Sequence, residues 1–191
     1  KVKALGTLPL FVKPVRAGSS IGVSKVKDMA DFAKALEVAF AEDSKVTVEK
    51  GLVGREIECA VLSQLGGGEP RVSLAGEIVI RSGEFYDFEA KYLDGATKIE
   101  LPALIPSDVA EEIRAKAIQA FKALGCSGLA RVDFFYATSG EVFINELNTM
   151  PGFTSTSVFP KMWAASGVSY TEVISHLLQS AQARTNGPLG N

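Results

Sequence analysis

Acidic and amide side chains occur within a segment that otherwise has the composition of a buried strand. The segment FINELNTMPG, residues 143–152, carries Glu146 and Asn148 among apolar residues. The nearby segment LARVDFFY, residues 129–136, carries Asp133 in similar surroundings. Carboxylate and amide oxygens are ligands for Mg²⁺, whose remaining positions are commonly filled by water and substrate phosphates. The two segments therefore suggest chemistry that uses a divalent metal and a phosphate.

The residues ATSG between these segments predict a turn that joins them into a β-hairpin. With the turn at residues 137–140, Arg131 lies opposite Glu146. Asp133 then lies opposite Ile144 and becomes a diagonal neighbour of Glu146. The predicted hairpin face carries Arg131, Asp133, Ile144, Glu146 and Asn148. Its carboxylates and amide can hold one or two divalent ions, and the alternative is an Arg131–Glu146 ion pair on a solvated face.

A glycine- and serine-rich loop follows the first predicted strand. In KPVRAGSSIG, residues 13–22, Lys13 ends the strand and the glycines permit a tight turn. Such a turn directs backbone N–H groups inward, and Ser19 adds a hydroxyl donor, so the loop suits an anion such as phosphate. The lysine precedes the loop, which distinguishes it from a Walker A motif. An ordinary surface turn with a solvated Lys13 is the alternative.

A third segment, VEKGLVGREIE, places acids beside apolar residues at a strand end. Glu49 and Lys50 end one strand and Glu56 opens the next, with Leu52 and Val53 between them. A nucleotide needs hydrogen-bond partners for its amino and hydroxyl groups and apolar walls for its ring. The segment is therefore a candidate for nucleotide binding, and a hinge with solvated charges is the alternative.

The composition is that of a globular, cytoplasmic protein. The 191 residues include 20 basic and 22 acidic side chains, for a net charge of −2, which does not suggest a nucleic-acid or membrane surface. No apolar run approaches the roughly 20 residues that cross a bilayer. Cys59 and Cys126 have no paired spacing and are expected to be free thiols. His176 has no Cys or His nearby, so a zinc site is not expected.

Hydrophobic periodicity predicts antiparallel hairpins separated by helices, which is the pattern of the α+β class. The predicted strands are Leu8–Lys13, Val23–Val26, Val46–Lys50, Glu56–Leu62, Arg71–Ile80, Leu129–Tyr136 and Glu141–Leu147. Helices are predicted after caps at Asp28, at Ser107 or Asp108, and at Ser169, and a short one at Pro160–Ser166. The expected buried positions are Met29, Phe32, Ala33, Leu36 and Phe40 in the first helix, Val109, Ile113, Ala117, Phe121 and Leu124 in the second, and Val173, Leu177 and Leu178 in the last.

Residues 81–104 contain aromatic and charged residues without a clean period. A long segment of this kind within a compact domain is often an active-site lid. We therefore expect two lobes, residues 1–56 and 57–191, with the lid in the second lobe.

Five segments, in this order along the chain, resemble the D-alanine–D-alanine ligases of the ATP-grasp superfamily. They are VKPVRAGSSIGVSKV, VEKGLVGREIECAVL, FYDFEAKYLDG, GLARVDFFY and INELNTMPGFTSTSVFP. The resemblance runs from about Leu8 to about Ala183, and INELNTMPGFTSTS together with FEAKY is highly specific. It implies an ATP-grasp fold, in which antiparallel sheets with packed helices form two lobes that enclose a nucleotide cleft.

The resemblance also implies an ATP site with metal ions. Lys13 would contact the phosphates of the nucleotide, and Lys91 would reach the γ-phosphate. Asp133, Glu146 and Asn148 would bind two Mg²⁺ ions, with Mn²⁺ as an alternative. The residues implied at the adenine and ribose are Glu49, Lys50, Leu52, Val53, Glu56 and Phe85.

Further roles follow from the same resemblance. Tyr92 would close a loop over the site through a hydrogen bond with Ser19. Arg131 and the backbone of Gly152 would stabilise an oxyanion. Because members that make D-alanyl-D-lactate replace the loop tyrosine, Tyr92 favours the dipeptide as product.

The carboxylate of the second D-alanine would be held by Ser157 and the amide of Val158. The implied reaction joins two D-alanine molecules at the expense of ATP, for peptidoglycan precursor synthesis in the cytoplasm. Members of the family are commonly dimeric, so a homodimer is expected of the full-length protein.

The family's N-terminal domain, which would bind the first D-alanine, has no counterpart before the first matching segment. The chain taken alone is therefore expected to bind nucleotide weakly and to make little dipeptide. Two alternatives remain open at this point. One is a nucleotide-binding module without full activity, and the other is an ATP-grasp ligase that joins a carboxylate to a different amine.

Overall fold

The structure is a computed structural model that describes residues 5–6, 8–80 and 97–183. Its contacts divide the chain into two compact units. The first unit contains the described residues up to Val53 together with Ile80, Thr97 and Lys98, and the second contains Gly54–Val79 and the described residues from Ile99 onward. The predicted lobes, residues 1–56 and 57–191, remain a prediction.

The predicted α+β class is confirmed, with helices packed against antiparallel sheets. The strands of the described ranges are β1 (Leu10–Pro14), β2 (Ser24–Val26), β3 (Val46–Lys50), β4 (Gly54–Leu62), β5 (Arg71–Val72), β6 (Gly76–Ile80), β7 (Thr97–Glu100), β8 (Leu129–Ala137) and β9 (Val142–Asn148). The helices are α1 (Phe32–Glu42), α2 (Ser107–Ala123), α3 (Val158–Ala165) and α4 (Tyr170–Gln182). None of the helices in these ranges combines the length and hydrophobicity needed to cross a membrane.

The first unit is a three-stranded antiparallel sheet, in the order β2–β1–β3, covered by α1. The predicted buried face of α1 is partly wrong, because Met29 and Phe40 are 50% and 54% exposed. Residues 29–31 form a 3₁₀ turn after the cap at Asp28. A 3₁₀ helix has about three residues per turn, fewer than an α-helix. These residues therefore change which positions of the following helix face the sheet. Ala35 and Ala39 face the sheet instead, and their small side chains allow close packing.

The second unit contains a sheet in the order β7–β6–β4–β8–β9, with β5 also paired to β4. Its central pair is β4 and β8, which align without interruption from Gly54 opposite Ala137 to Leu62 opposite Leu129. Successive side chains of a strand point to opposite faces, so β4 contributes to two separate cores. The first core, with α2, contains Ile57, Cys59, Val61, Val109, Ile113, Ala117, Phe121, Ala130, Val132, Phe134 and Val142. The second, with α3 and α4, contains Ala60, Leu62, Phe159, Met162, Trp163 and Val173.

The predicted return strand Arg71–Ile80 is two strands instead of one. The side chain of Ser73 accepts a hydrogen bond from the backbone N–H of Ala60 at 2.9 Å. Its own N–H donates to the carbonyl of Ala60 at 2.9 Å. A side-chain oxygen therefore replaces a backbone carbonyl, and the regular ladder is interrupted between β5 and β6.

Helix caps agree with the sequence in one case and differ in another. The capping box of Ser169 and Glu172 at the start of α4 is confirmed. The first residue of α2 is Ser107, and its N-cap is Pro106, so neither predicted cap is used. The four other predicted positions of α2 are buried, but Leu124 is 68% exposed because the helix ends one residue earlier.

The predicted lid, residues 81–104, is described only from Thr97 onward. Residues 81–96 lie outside the described residues. Within the described part, Thr97–Glu100 forms β7 at one end of the larger sheet, so this portion is regular, contrary to the sequence-based expectation.

Both cysteines are free thiols, as predicted. Cys59 is fully buried in the first core of the second unit, and this burial raises the pKa of its thiol well above the ordinary range. Cys59 is therefore a small apolar core residue and not a nucleophile.

Asp43 connects the end of α1 to the segment after β1. Its carboxylate accepts hydrogen bonds from the backbone and side chain of Arg16 and from the N–H of Lys45. The side-chain hydrogen bonds with Arg16 are the main cause that lowers the pKa of Asp43 far below its ordinary value. The ionised form is therefore favoured in the folded state.

Replacing this carboxylate gives a stability loss with a defined pH dependence. A depressed folded pKa means that Asp43 stabilises the fold fully above its unfolded pKa, near 4, and that this stabilisation is lost as the pH falls toward the folded pKa. We expect Asp43→Asn to be less stable than the wild type from about pH 5 to 7, with the difference shrinking below about pH 4. Urea unfolding across this range is the measurement. Glu37→Gln, an exposed change on the same helix, is the control and should show no such trend.

Two substitutions, one in α2 and one just after its last residue, test the buried stripe of the helix. Ile113→Ala removes a side chain that is 1% exposed, and we expect a loss of about 2–5 kcal/mol in the free energy of unfolding. Leu124→Ala removes a side chain that is 68% exposed, and we expect a change within about 0.5 kcal/mol. Urea denaturation compares the two, and equal losses would contradict the observed end of the helix.

Candidate functional site

The β8–β9 hairpin has a different register from the predicted one. The turn is closed by the N–H of Ala137, which donates to the carbonyl of Glu141 at 2.9 Å. Beyond the turn, Phe134 lies opposite Ile144 and Asp133 lies opposite Glu146. The predicted pairs, Arg131 with Glu146 and Asp133 with Ile144, are therefore wrong. Two shifts of one residue are the cause. The turn pairs Ala137, and not Tyr136, with Glu141, and an irregularity between Asp133 and Phe134 places one extra residue in β9.

The turn register and the bulge together decide which side chains share a face. Ile144 lies opposite Phe134, a residue of the first core, so it does not join the acidic face as predicted. Beyond the bulge, Glu146 lies directly opposite Asp133, and Asn148 lies opposite Arg131. Directly paired residues have Cβ atoms about 4.5–5.5 Å apart, so these two acids are closer than the predicted diagonal pair.

Arg131 is the positive charge of this face. Its Nε and Nη2 atoms donate to the two oxygens of Asp133, both at 2.7 Å. Burial alone would lower the pKa of Arg131, but these hydrogen bonds and the charges of Asp133, Glu58 and Glu146 raise it above its ordinary value. The guanidinium is therefore permanently charged. It compensates Asp133, which is only 8% exposed.

Asn148 brings the two acids of the hairpin together. Its amide nitrogen donates to Asp133 Oδ2 and to Glu146 Oε1, each at 3.2 Å. Among the described residues, no group of three or more His, Cys, Asp or Glu side chains could hold a metal by itself. The hairpin instead offers a pair of carboxylates and an amide, which is the donor set with which Mg²⁺ is bound when phosphates complete its shell. The residues therefore fit the implied metal.

Glu58 belongs to this face, although the sequence did not identify it as a site residue. It lies on β4 directly opposite Asp133 and is 8% exposed. Its Oε2 atom is 3.3 Å from Nε of Arg131. Alternation in β4 already separates Glu58 from Ile57 and Cys59, but placing it beside Asp133 requires the β4–β8 pairing, which joins segments more than 60 residues apart in the sequence.

The segment before α3 brings together two further predicted residues. Ser157 is the N-cap of α3 and does not bond to the helix through its side chain. Its hydroxyl accepts from the N–H of Thr154 at 3.0 Å. A Cβ atom added at Gly152 would lie 3.1 Å from this hydroxyl, so glycine permits the close approach. The first N–H of α3, that of Val158, lies at a helix N-terminus, where a carboxylate is favoured.

In the first unit, two predicted residues form an ion pair. Lys13 Nζ lies 2.8 Å from Glu49 Oε2, and their side chains are 27% and 44% exposed. In the loop that follows β1, Ser19 and Ser20 adopt φ angles of 54° and 59°. This left-handed conformation is uncommon for residues other than glycine, and such strain often occurs at functional sites. The loop therefore remains a candidate anion-binding site.

The other predicted nucleotide contacts are at or near the surface. Lys50 and Leu52 are exposed, and Val53 is 72% exposed. Glu56 is half-buried in β4 and lies opposite Phe135. Lys50, Leu52 and Val53 belong to the first unit and Glu56 to the second, so the grouping of these residues stays a prediction. Three further predicted residues, Phe85, Lys91 and Tyr92, lie outside the described residues.

Comparison with known proteins identifies the family of the chain. Residues 1–179 match the sequence family described as D-ala D-ala ligase C-terminus. The chain belongs to this family. The match includes residues of both described units.

The chain has relatives at high identity. It is 56% identical over 182 residues to a D-alanine–D-alanine ligase A of Chromobacterium violaceum, covering 94% of this chain and 48% of the relative. It is 53% identical over 178 residues to the ligase A of Salmonella typhimurium, covering 93% of this chain and 48% of the relative. The crystal structure of the VanG D-Ala:D-Ser ligase of Enterococcus faecalis has a TM-score of 0.81 and 44% identity, covering 93% of this chain and 50% of that one. The chain thus spans about half the length of the proteins that it matches, and the predicted ATP-grasp fold is confirmed.

The charge balance of the acidic face predicts a large effect at Arg131. Arg131→Met leaves Asp133 and Glu58 without their shared cation, and breaking such a buried pair costs about 3–5 kcal/mol. We expect a loss of this size in the free energy of unfolding, measured by urea denaturation without nucleotide. Arg114→Met, at an exposed position of α2, is the control and should change stability by no more than about 0.5 kcal/mol. Equal losses in the two variants would contradict the role of Arg131 in compensating the acids.

Proposed function

We propose that the protein carrying this chain is an ATP-dependent ligase that joins two D-alanine molecules into D-alanyl-D-alanine. The reaction releases ADP and phosphate and serves peptidoglycan precursor synthesis in the cytoplasm. The observation that carries the proposal is the acidic face of the hairpin, where Asp133, Glu146 and Asn148 converge beside Arg131. Membership in the D-Ala–D-Ala ligase family and the high identity to two ligases of that name support the same substrates.

Different residues of the chain bind the phosphates, the metal ions and the adenine and ribose of ATP. Lys13 contacts the phosphates, and the strained loop with Ser19 offers N–H and hydroxyl donors to the same anion. Asp133, Glu146 and Asn148 hold two Mg²⁺ ions, or Mn²⁺ in their place. When bound, these ions neutralise charge on the triphosphate. The adenine and ribose contacts are Glu49, Lys50, Leu52, Val53, Glu56 and Phe85.

Positioning and charge compensation are sufficient for the chemistry. The carboxylate of the first D-alanine takes the terminal phosphoryl group of ATP, to which Lys91 reaches, and becomes an acyl phosphate. The amino group of the second D-alanine attacks the acyl carbon, and phosphate leaves. The N–H donors of Arg131 and the backbone N–H of Gly152 stabilise the oxyanion of this attack.

Two further contacts complete the site. Ser157 and the N–H of Val158 hold the carboxylate of the second D-alanine at the start of α3. An acyl phosphate hydrolyses easily, so water must be excluded from it. In this proposal Tyr92 closes the lid of residues 81–104 over the site by forming a hydrogen bond with Ser19, and the closed lid excludes water. The full-length enzyme is a homodimer in this proposal.

A ligase that uses a different second amino acid is the main alternative. The Enterococcus faecalis structure, at 44% identity, is titled a D-Ala:D-Ser ligase. The two D-alanine–D-alanine ligases are more similar, at 53% and 56% identity. This difference favours D-alanine as the second substrate. A nucleotide-binding module without ligase activity is the other alternative.

A phosphate-release assay separates these alternatives. The longest natural polypeptide that carries the chain is assayed with ATP, Mg²⁺ and D-alanine, with D-serine or D-lactate as competing second substrate. We expect phosphate release when D-alanine is the only amino acid added. Mass spectrometry should identify D-alanyl-D-alanine as the product, also when a competing second substrate is present. A mixed product formed in preference would support the D-serine alternative. Binding of Mg²⁺ and a non-hydrolysable ATP analogue without turnover would support the module.

A substitution at Glu146 tests the metal role. Glu146→Gln keeps the size of the side chain and removes its charge, so we expect turnover to fall at least ~100-fold while the fold survives. Circular dichroism checks the fold, and phosphate release measures turnover. Glu141→Gln is the matched control, because Glu141 is an exposed acid at the turn of the same hairpin. Unchanged turnover in Glu146→Gln would remove Glu146 from the metal site.

A further inference from the structure

We propose that Glu58 is a positioning residue for Arg131, and that it becomes the main acceptor of the Arg131 guanidinium when Asp133 turns to a cation. The inference rests on the proposed role of Asp133 as a metal ligand. Glu58 contacts Arg131, so its proposed role is to position that side chain.

The hydrogen bonds of Asp133 create the need for such a residue. Both of its oxygens accept from Arg131 at 2.7 Å, and Oδ2 also accepts from Asn148 at 3.2 Å. These donors use three of the roughly four lone-pair positions of the carboxylate. A cation bound at the same carboxylate repels the guanidinium, so metal binding weakens the contact of Arg131 with Asp133.

Glu58 is placed to receive that donor. Its Oε2 atom lies 3.3 Å from Nε of Arg131, the same nitrogen that donates to Asp133 Oδ1. The backbone of Glu58 is fixed directly opposite Asp133 within the uninterrupted β4–β8 ladder. A small rotation of the guanidinium toward β4 therefore exchanges one carboxylate for the other without movement of either strand.

Burial makes the exchange necessary. Glu58 and Asp133 are each 8% exposed, and the side chain of Arg131 is 21% exposed. A guanidinium in this position that lost its acceptor would be a buried unpaired charge, which is strongly unfavourable. With Glu58 present, Arg131 keeps a carboxylate partner both before and after Asp133 is occupied. The charge of Glu58 matters here, because charge-assisted hydrogen bonds are about twice as strong as neutral ones.

A purely structural role for Glu58 makes a different prediction. If Glu58 only compensates the charge of Arg131, its loss lowers stability equally with and without cation. If it receives Arg131 from Asp133, its loss makes Mg²⁺ compete against an Arg131–Asp133 pair that has no substitute acceptor. The Mg²⁺ concentration required for binding therefore distinguishes the two roles.

The first experiment measures thermal stabilisation of the longest natural polypeptide that carries the chain by a non-hydrolysable ATP analogue during a Mg²⁺ titration. Ligand binding to the folded state raises the melting temperature. We expect the half-maximal Mg²⁺ concentration of Glu58→Gln to rise about tenfold or more over the wild type. Glu58→Asp keeps the charge on a shorter side chain and should recover part of this change.

Glu77→Gln is the matched control. Glu77 is another acid that is 8% exposed, on β6 of the same sheet, and it pairs with Arg55 through two hydrogen bonds. Its loss should lower the melting temperature without changing the Mg²⁺ dependence. An equal Mg²⁺ dependence in Glu58→Gln and the wild type would overturn the proposal.

A second measurement does not depend on a variant of Glu58 that folds. The Nε–H signal of Arg131 in the ¹⁵N-labelled wild-type chain is assigned by its loss in Arg131→Lys. We expect this signal to shift when Mg²⁺ and the ATP analogue are added together, and an unchanged signal would overturn the exchange. If the wild type shows no Mg²⁺-dependent effect, both the metal role and this inference fail. If only the D-alanine specificity fails in the phosphate-release assay, the inference about Glu58 is still decided by these measurements.

Discussion

One guanidinium must compensate several carboxylates on a single face of the larger sheet, and this constraint governs the site. Arg131 donates to Asp133 and lies beside Glu58, while Glu146 is held near Asp133 by Asn148. Placing charges of like sign together in a partly buried position is unfavourable unless cations or donors offset them. Within the described residues, Arg131 offsets part of the negative charge of these three acids, and an acidic face of this kind is suited to bind divalent cations together with a polyphosphate.

The same face of β4 shows where the protein core ends and the site begins. Leu62 and Ala60 are buried in the core beneath α3 and α4. The next residues on that face, Glu58 and Glu56, are acids. Because alternate residues of a strand share a face, this change from apolar to acidic side chains marks the edge of the helical cover. The core fixes one end of β4, and the uninterrupted pairing of β4 with β8 fixes the backbone positions of the acids at the other end.

Local patterns predicted the elements well, because their signals lie within a few residues of one another. The capping box of Ser169 and Glu172 is such a signal, and the structure contains it. The exposed position of Phe40 was not predicted, since the 3₁₀ turn before α1 changes the phase of the helix. The membership of Glu58 in the acidic face was not predicted either. It depends on which distant strand becomes the neighbour of β4, and alternation within one strand contains no information on that choice.

The bulge in the hairpin shows how a mispredicted detail can be the one that assembles a site. Val142 and Leu147 both pack on the first core, yet they are an odd number of residues apart on β9. In a regular strand such residues would point to opposite faces. One extra residue reconciles them, and the same shift moves Glu146 from the core side to the face of Asp133. A regular hairpin would have to bury Glu146 against the apolar core or withdraw Val142 from it, so the irregularity satisfies packing and metal-ligand placement together. The odd spacing of apolar residues is the sequence signal from which this bulge follows.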